Sequence, residues 1–298
     1  MNAARSLPSR VLAAVDFSDC AINAVKVAAA LARHCGAELH LLYAVDPALA
    51  AAAIDAHVNL ECESKEELKR CLPPAAAMIE SPPHLHVVQG DAAQVIVDIA
   101  QRERIDVIVI GSRGQAIPDW PALGTTAEQV VRRSLTSVLL VPPGSEADRH
   151  LGADLTGFGP ILVGIDMTCP SIAAATAACQ LAETLKTQVT LLHAVSPLQV
   201  PERFRELAGA AANRKYAQSR SDYERVARAI QGTCNVPAAL AVAHGPVVDV
   251  LLTACRTERY ALVVLARSTS THDYGAPGAI ASRVLTLAHV PVWMHVAA

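Results

Sequence analysis

The chain is written twice. Arg10-Val-Leu-Ala-Ala-Val-Asp16-Phe-Ser18 returns as Pro160-Ile-Leu-Val-Gly-Ile-Asp166-Met-Thr168. Leu41-Leu-Tyr-Ala-Val45 returns as Leu191-Leu-His-Ala-Val195, with the same offset of 150. Further on the offset becomes 155: Gly90-Asp-Ala-Ala-Gln-Val95 matches Gly245-Pro-Val-Val-Asp-Val250, and Ile105 to Ile110 matches Tyr260 to Leu265. A repeat of this length makes each half one folding unit. The 298 residues then divide into two domains of ordinary size. Expected boundaries are 1–145 and 160–298, joined by a polar, glycine-bearing linker over 146–159.

Within each half, short apolar runs alternate with helical patterns. In the first half the expected strands are Val11–Val15, Glu38–Val45, Leu85–Val88, Ile105–Ile110 and Val138–Val141. Their near-continuous apolar character suits strands covered on both faces. Ser18 or Asp19 can cap the first helix, whose stripe is Ala21, Val25, Ala28, Ala32 and Cys35, and Gly36 can end it. Asp91 can cap another, burying Ile96, Ile99 and Ala100. In the second half Ser171 is the expected cap and Ile172, Ala175, Ala178, Ala182 and Leu185 the stripe. Pro47–Pro83 and Ser196–Pro237 each leave room for about one extra helix. Glu202–Ile230 reads as one long solvated helix, with Gly209 as its weak point. Strand–helix alternation predicts an α/β fold in each half, a doubly wound parallel sheet with helices on both faces. Ligands of such sheets bind at the carboxyl ends of the strands.

Hydrophobic residues make up 52% and charged residues 18%, which excludes a disordered chain. A net charge of −3 gives no footprint for nucleic acid or an acidic membrane. No apolar run is long enough to span a bilayer and no signal-peptide core follows Met1, so a cytoplasmic location is expected. The eight cysteines include no C-x-x-C and are expected to act mostly as small buried hydrophobes. His84 and His86 share one face of a strand. Without an adjacent carboxylate or thiolate pair they read as structural, and no metal site is expected.

After the fourth strand comes Ile110-Gly111-Ser-Arg113-Gly114, then nine residues, then Gly124-Thr125-Thr126 and a helix with Val130, Val131 and Leu135 on one side. Glycines at a strand's carboxyl end can take positive φ and let backbone N–H groups form an anion nest. Gly124, Thr125 and Thr126 open a helix, where unpaired N–H groups and the dipole favour phosphate. From these residues alone, a nucleotide site and an ordinary turn with a helix cap are equally open.

The spacing Gly-x2-Gly-x9-Gly-Thr resembles the ATP-binding signature of the universal stress protein family, and the likeness runs through nearly the whole chain twice, as in tandem members. The resemblance implies strand order 3-2-1-4-5 in each half and an intramolecular pseudo-dimer meeting at Val138–Val141 and Val290–His295. It implies ATP or another adenine nucleotide as ligand, with or without Mg²⁺. It places Asp16 near the adenosine and Ala44 where backbone groups meet adenine. It leaves Arg113 open between a phosphate and solvent. The stretch Ile117-Pro-Asp-Trp-Pro-Ala-Leu123 is stiffer than the family's usual loop.

In the second half Ala266 and Thr269 replace the loop glycines, the gap to Gly278 is one residue shorter, and Ala279 replaces the hydroxyl residue. A non-glycine residue forced into the left-handed region costs about 1–2 kcal/mol, so this loop is expected to take another shape and to hold no tight ATP site; Asp166 and the helix opening at Ala279 leave a weaker or different ligand open. The expected function is a nucleotide-binding stress-response regulator with one site. A ligand-free interaction scaffold and a slow ATPase stay open, as does a homodimer. There is no Gly-x4-Gly-Lys-(Ser/Thr) loop and no Gly-x-Gly-x-x-Gly fingerprint. Asp16 and Asp119 are the only acids that offer themselves for phosphoryl transfer.

Overall fold

The computed structural model describes residues 7–114, 122–144, 158–198, 201, 203, 205–257, 260–267 and 278–296. The expected linker therefore lies almost wholly outside the described residues, as do Ile117–Pro121, Asp119 and Thr269.

The first half runs β1 (Arg10–Val15), α1 (Asp19–Cys35), β2 (Glu38–Val45), α2 (Pro47–Asp55), α3 (Leu60–Arg70), β3 (His84–Gln89), α4 (Ala92–Arg102), β4 (Val107–Gly111), α5 (Thr125–Arg133) and β5 (Ser137–Val141). The second runs β6 (Ile161–Gly164), α6 (Cys169–Leu185), β7 (Val189–Val195), α7 (Arg205–Gln231), β8 (Ala238–His244), α8 (Val247–Thr257), β9 (Leu262–Ala266), α9 (Ala279–Leu287) and β10 (Val292–His295). The strands form one ten-stranded sheet, β3-β2-β1-β4-β5-β10-β9-β6-β7-β8. Every pairing is parallel except the seam, where β10 meets β5 antiparallel, Trp293 opposite Leu139.

Alternation along each strand sends side chains to two covers. Val11, Ala13 and Val15 pack with α1 and α6 into one core. Leu12 and Ala14 face the other, with Ile96 of α4, Val130 of α5, Leu251 of α8 and Val284 of α9. Both cores run through both halves, so the seam is buried rather than merely joined.

Ser18 caps α1 by accepting from Ala21 N–H, and Gly36 ends it at φ +62°. Asp91 caps α4 by accepting from Gln94 N–H at 3.0 Å. Other expectations need correction. Thr168, not Ser171, stands at the start of α6; Ser171 lies inside the helix and donates its hydroxyl to the Thr168 carbonyl at 3.0 Å. Pro47–Pro83 holds two helices and a 3-10 turn, Pro74–Met78, instead of one helix. α7 is continuous through Gly209 and is not wholly solvated: Tyr223, Ala227 and Ile230 are buried, and the Tyr223 hydroxyl donates to the Leu191 carbonyl. Leu135 falls past the end of α5 and is 75% exposed. Most of the cysteines are not small buried hydrophobes: among the free ones only Cys20 is buried. Cys179 and Cys234 form a disulfide, while Cys62 and Cys169 are exposed.

Candidate functional site

Parallel pairing brings the carboxyl ends of β1, β2 and β4 side by side. There the chain turns outward, leaving a cavity of about 700 Å³. All eight residues singled out in the sequence line it. Asp16 follows β1, Ala44 lies on β2, Gly111, Arg113 and Gly114 follow or end β4, and Gly124, Thr125 and Thr126 open α5.

The turn out of β1 is tightly specified. Asp16 Oδ1 accepts from the Ser18 N–H at 3.0 Å and from its hydroxyl at 2.6 Å. Phe17, between them, sits at φ +63°. The second half repeats this: Asp166 Oδ1 accepts from Thr168 N–H at 3.0 Å and its hydroxyl at 2.6 Å, and Met167 has φ +66°. Burial pushes the Asp166 carboxyl up, but hydrogen bonds from Thr168 and Ser171 outweigh it and hold the group below the usual carboxylate range. This acid therefore fixes the turn that leads into the next helix in both halves, whatever else Asp16 does.

The glycines serve a different purpose from the one expected. None of Gly111, Gly114 and Gly124 has left-handed φ; Gly124 lies at −62°. Their requirement is room. A Cβ on Gly111 would meet Cys20 Sγ at 3.0 Å and the Ala21 nitrogen at 3.2 Å. One on Gly114 would stand 2.7 Å from Asp16 Oδ2, and one on Gly124 would lie 3.3 Å from the Ser112 carbonyl. The close approach of the start of α1, of Asp16 and of the Ser112 backbone, not backbone handedness, crowds these positions.

The loop's two ends are also tied together. Gly124 N–H donates to the Ser112 carbonyl at 2.8 Å, and Ser112 N–H donates to the Val141 carbonyl at 2.8 Å. The Gly124 N–H is thus spent inside the loop and cannot serve an anion. The donors that remain belong to the first turn of α5, since Gly124 provides no side-chain cap. N–H groups at such positions have no partner within the helix. Thr125 and Thr126 carry them to the cavity wall.

Apolar residues complete the walls. Phe17 and Tyr43 meet at 4.8 Å between ring centres, and both line the cavity with Leu42 and Ile96. These were missed in the sequence, where Tyr43 and Leu42 are indistinguishable from strand core. Ala122 and Leu123, from the end of the stiff stretch, also line it. Cys20 stands behind Gly111. Its thiol donates to the Val141 carbonyl at 3.2 Å and burial pushes its pKa up, so it packs the wall as a neutral thiol.

The family model described as the universal stress protein family matches residues 8–142 and again 157–295. The chain belongs to the universal stress protein family. A universal stress protein of Methanocaldococcus jannaschii is 28% identical over 148 residues, 46% of this chain and 83% of that one. The solved structure of a universal stress protein from Archaeoglobus fulgidus superposes with a TM-score of 0.65 at 14% identity, covering 96% of this chain and 97% of its own. A Pseudomonas aeruginosa protein of unknown function gives 0.63 at 16%, covering 97% and 92%. At those identities the two structures speak for the fold alone, and they carry it across both halves together. In the second half Arg267 follows Ala266, is 8% exposed, and donates from its guanidinium to the Ser134 carbonyl and, at 2.9 Å, to the Arg132 carbonyl. It closes the end of α5 across the seam.

Proposed function

We propose that the first half binds one adenine nucleotide in the 700 Å³ cavity, and that the chain works as a nucleotide-dependent regulator. The observation carrying this is the convergence of Asp16, Gly114 and the uncapped start of α5 on one cavity with an aromatic wall. The phosphates lie at Gly114, Thr125 and Thr126, where the first turn of α5 offers N–H groups and its dipole. Arg113 is close enough to the same end to add charge. The base lies between Ala44 and the Leu42 side of the wall, and Asp16 faces the ribose. Among the described lining residues Asp16 is the only carboxylate. Mg²⁺ would therefore arrive on the phosphates, keeping most of its waters, rather than be held by the chain.

The second half takes no tight nucleotide in this proposal. Arg267 is committed to α5, and Ala266 and Ala279 stand where the first half has Gly111 and Thr125. Its role is to complete the pseudo-dimer. With Asp16 the single carboxylate among the described lining residues, binding rather than turnover is the expected activity.

The test is direct. Nucleotide released on denaturing the purified chain is quantified, and nucleotide-free protein is titrated with ATP, with and without Mg²⁺. The expected result is one adenine nucleotide per chain, lost in Gly114→Val, whose side chain must displace Asp16. Two per chain would show a working second site. None, with no binding on titration, would leave the ligand-free scaffold as the better account.

A further inference from the structure

At the opposite end of the sheet, where β1, β2 and β3 begin, a second cluster forms. Pairing sets Arg10 beside Glu38 and His40 beside His84. Residues two apart on a strand share a face, so Glu38 and His40 of β2 stand with His84 and His86 of edge strand β3. The His40 ring stacks on both, 4.6 Å from His84 and 5.2 Å from His86 between centres.

His40 is the key residue. It is 4% exposed, and its Nδ1 lies 3.0 Å from His86 Nε2. Its Nε2 is buried with no hydrogen-bond partner, and the nearest carboxylate oxygen, Glu38 Oε2, is 3.8 Å away. That is too long for a hydrogen bond. A buried ring nitrogen left unsatisfied is uncommon and costs free energy. One ligand-capable atom from each of Glu38, His40 and His84 lies within 4.8 Å of the others. Around a tetrahedral Zn²⁺, with bonds of about 2.0–2.2 Å, such atoms stand roughly 3.3–3.5 Å apart. His84 is exposed and can rotate inward by the difference.

We propose that Glu38, His40 and His84 form a binding site for a divalent transition-metal ion of the Zn²⁺ class, through one carboxylate oxygen, His40 Nε2 and one His84 nitrogen. His86 is the positioning residue: it accepts from the His40 Nδ1–H and so leaves the Nε2 lone pair facing the ion. Arg10 Nε donates to Glu38 Oε2 at 3.0 Å and its Nη1 to the Glu103 carbonyl at 3.2 Å, which fixes the carboxylate. A carboxylate has lone pairs for both Arg10 and an ion. The guanidinium charge opposes a cation, so the site is weaker than a closed structural one. Two imidazoles and a carboxylate favour Zn²⁺, Co²⁺, Ni²⁺ or Cu²⁺ over Mg²⁺ and Ca²⁺. The fourth position is left to water. The site shares no residue with the nucleotide cavity and does not depend on it.

The test uses the full chain stripped of metal by a chelator, then titrated with Zn²⁺ by calorimetry and with Co²⁺ by visible absorption. One ion per chain is expected, with the d–d bands of tetrahedral Co²⁺ and a Zn²⁺-dependent rise in Tm. His84→Ala and Glu38→Gln alter accessible side chains and keep the metal-free Tm, and each weakens binding by about tenfold or more. The proposal is overturned if the wild-type chain binds no Zn²⁺, or if His84→Ala binds as well as wild type. A thiolate charge-transfer band with Co²⁺ would assign the metal to cysteine and overturn it equally.

Discussion

Asp16 and Asp166 occupy one local geometry and differ in what surrounds it. Each follows a strand, accepts twice from the hydroxyl residue two positions on, and is followed by a residue with left-handed φ. The Asp166 carboxyl is held below the usual range, so the unfolded chain takes up its proton first as pH falls. Its contribution to stability is then full above about pH 4 and fades on acidification through the folded value. Urea denaturation across acid pH should show this. Asp166→Asn should lower stability near neutrality and flatten the acid limb; an unchanged pH profile would mean the carboxyl is not stabilising the turn. The spacing of the loop glycines was legible in the sequence and the reason for it was not. What crowds Gly111 is Cys20, and what crowds Gly114 is Asp16, each about a hundred residues away in the chain. The histidine cluster was hidden for the same cause: only β2–β3 register sets His40 against His84.

Among the elements, those with a strong period were legible and those without one were not. β1 and β5 are apolar runs after their first residue, β2 is apolar from Leu41 onward, and α1 carries a clear stripe, so the sequence places each within a residue or two. α2 has five alanines in nine residues and gives no stripe, while α3 carries i,i+3 and i,i+4 ion pairs such as Lys65–Glu61 and Arg70–Glu67. Neither shows the amphipathic pattern by which helices are recognised. α7 has the reverse problem, with one buried stripe beneath a charged surface. The disulfide ties the loop after α7 to α6 over a separation of 55 residues. In the chain-entropy account, closing a loop of that size stabilises by about 4 kcal/mol. Cys234→Ser should therefore lower the midpoint of the second half in urea by a corresponding amount, and a reducing agent should reproduce the effect on wild type. No change in either would show that the bond does not form in solution. Arg267 acts between elements. Its guanidinium satisfies carbonyls at the end of α5, and hydrogen bonds from charged donors are worth about 1.5–3 kcal/mol each. Arg267→Ala should cost roughly 2–3 kcal/mol, read as a lower Tm of the whole chain, and leave nucleotide stoichiometry unchanged.

At the scale of the molecule, the two halves share cores on both sides of a single sheet. Among the described residues no helix is long and apolar enough to cross a membrane. A protease site placed within 146–157 tests how far the seam holds without the covalent joint. The cut halves should co-elute on size exclusion and separate only on denaturation; separation in native buffer would mean that the β5–β10 pairing needs the connection. That connection has a further consequence. A dimer of identical chains must repeat every residue on both sides, and it dissociates when dilute. Here the second partner is held at a local concentration set by chain length and independent of expression level. Each side is also free to change alone. An arginine clasp can stand opposite a glycine loop, and a histidine-lined edge can exist on one flank only, which no symmetric pair could encode.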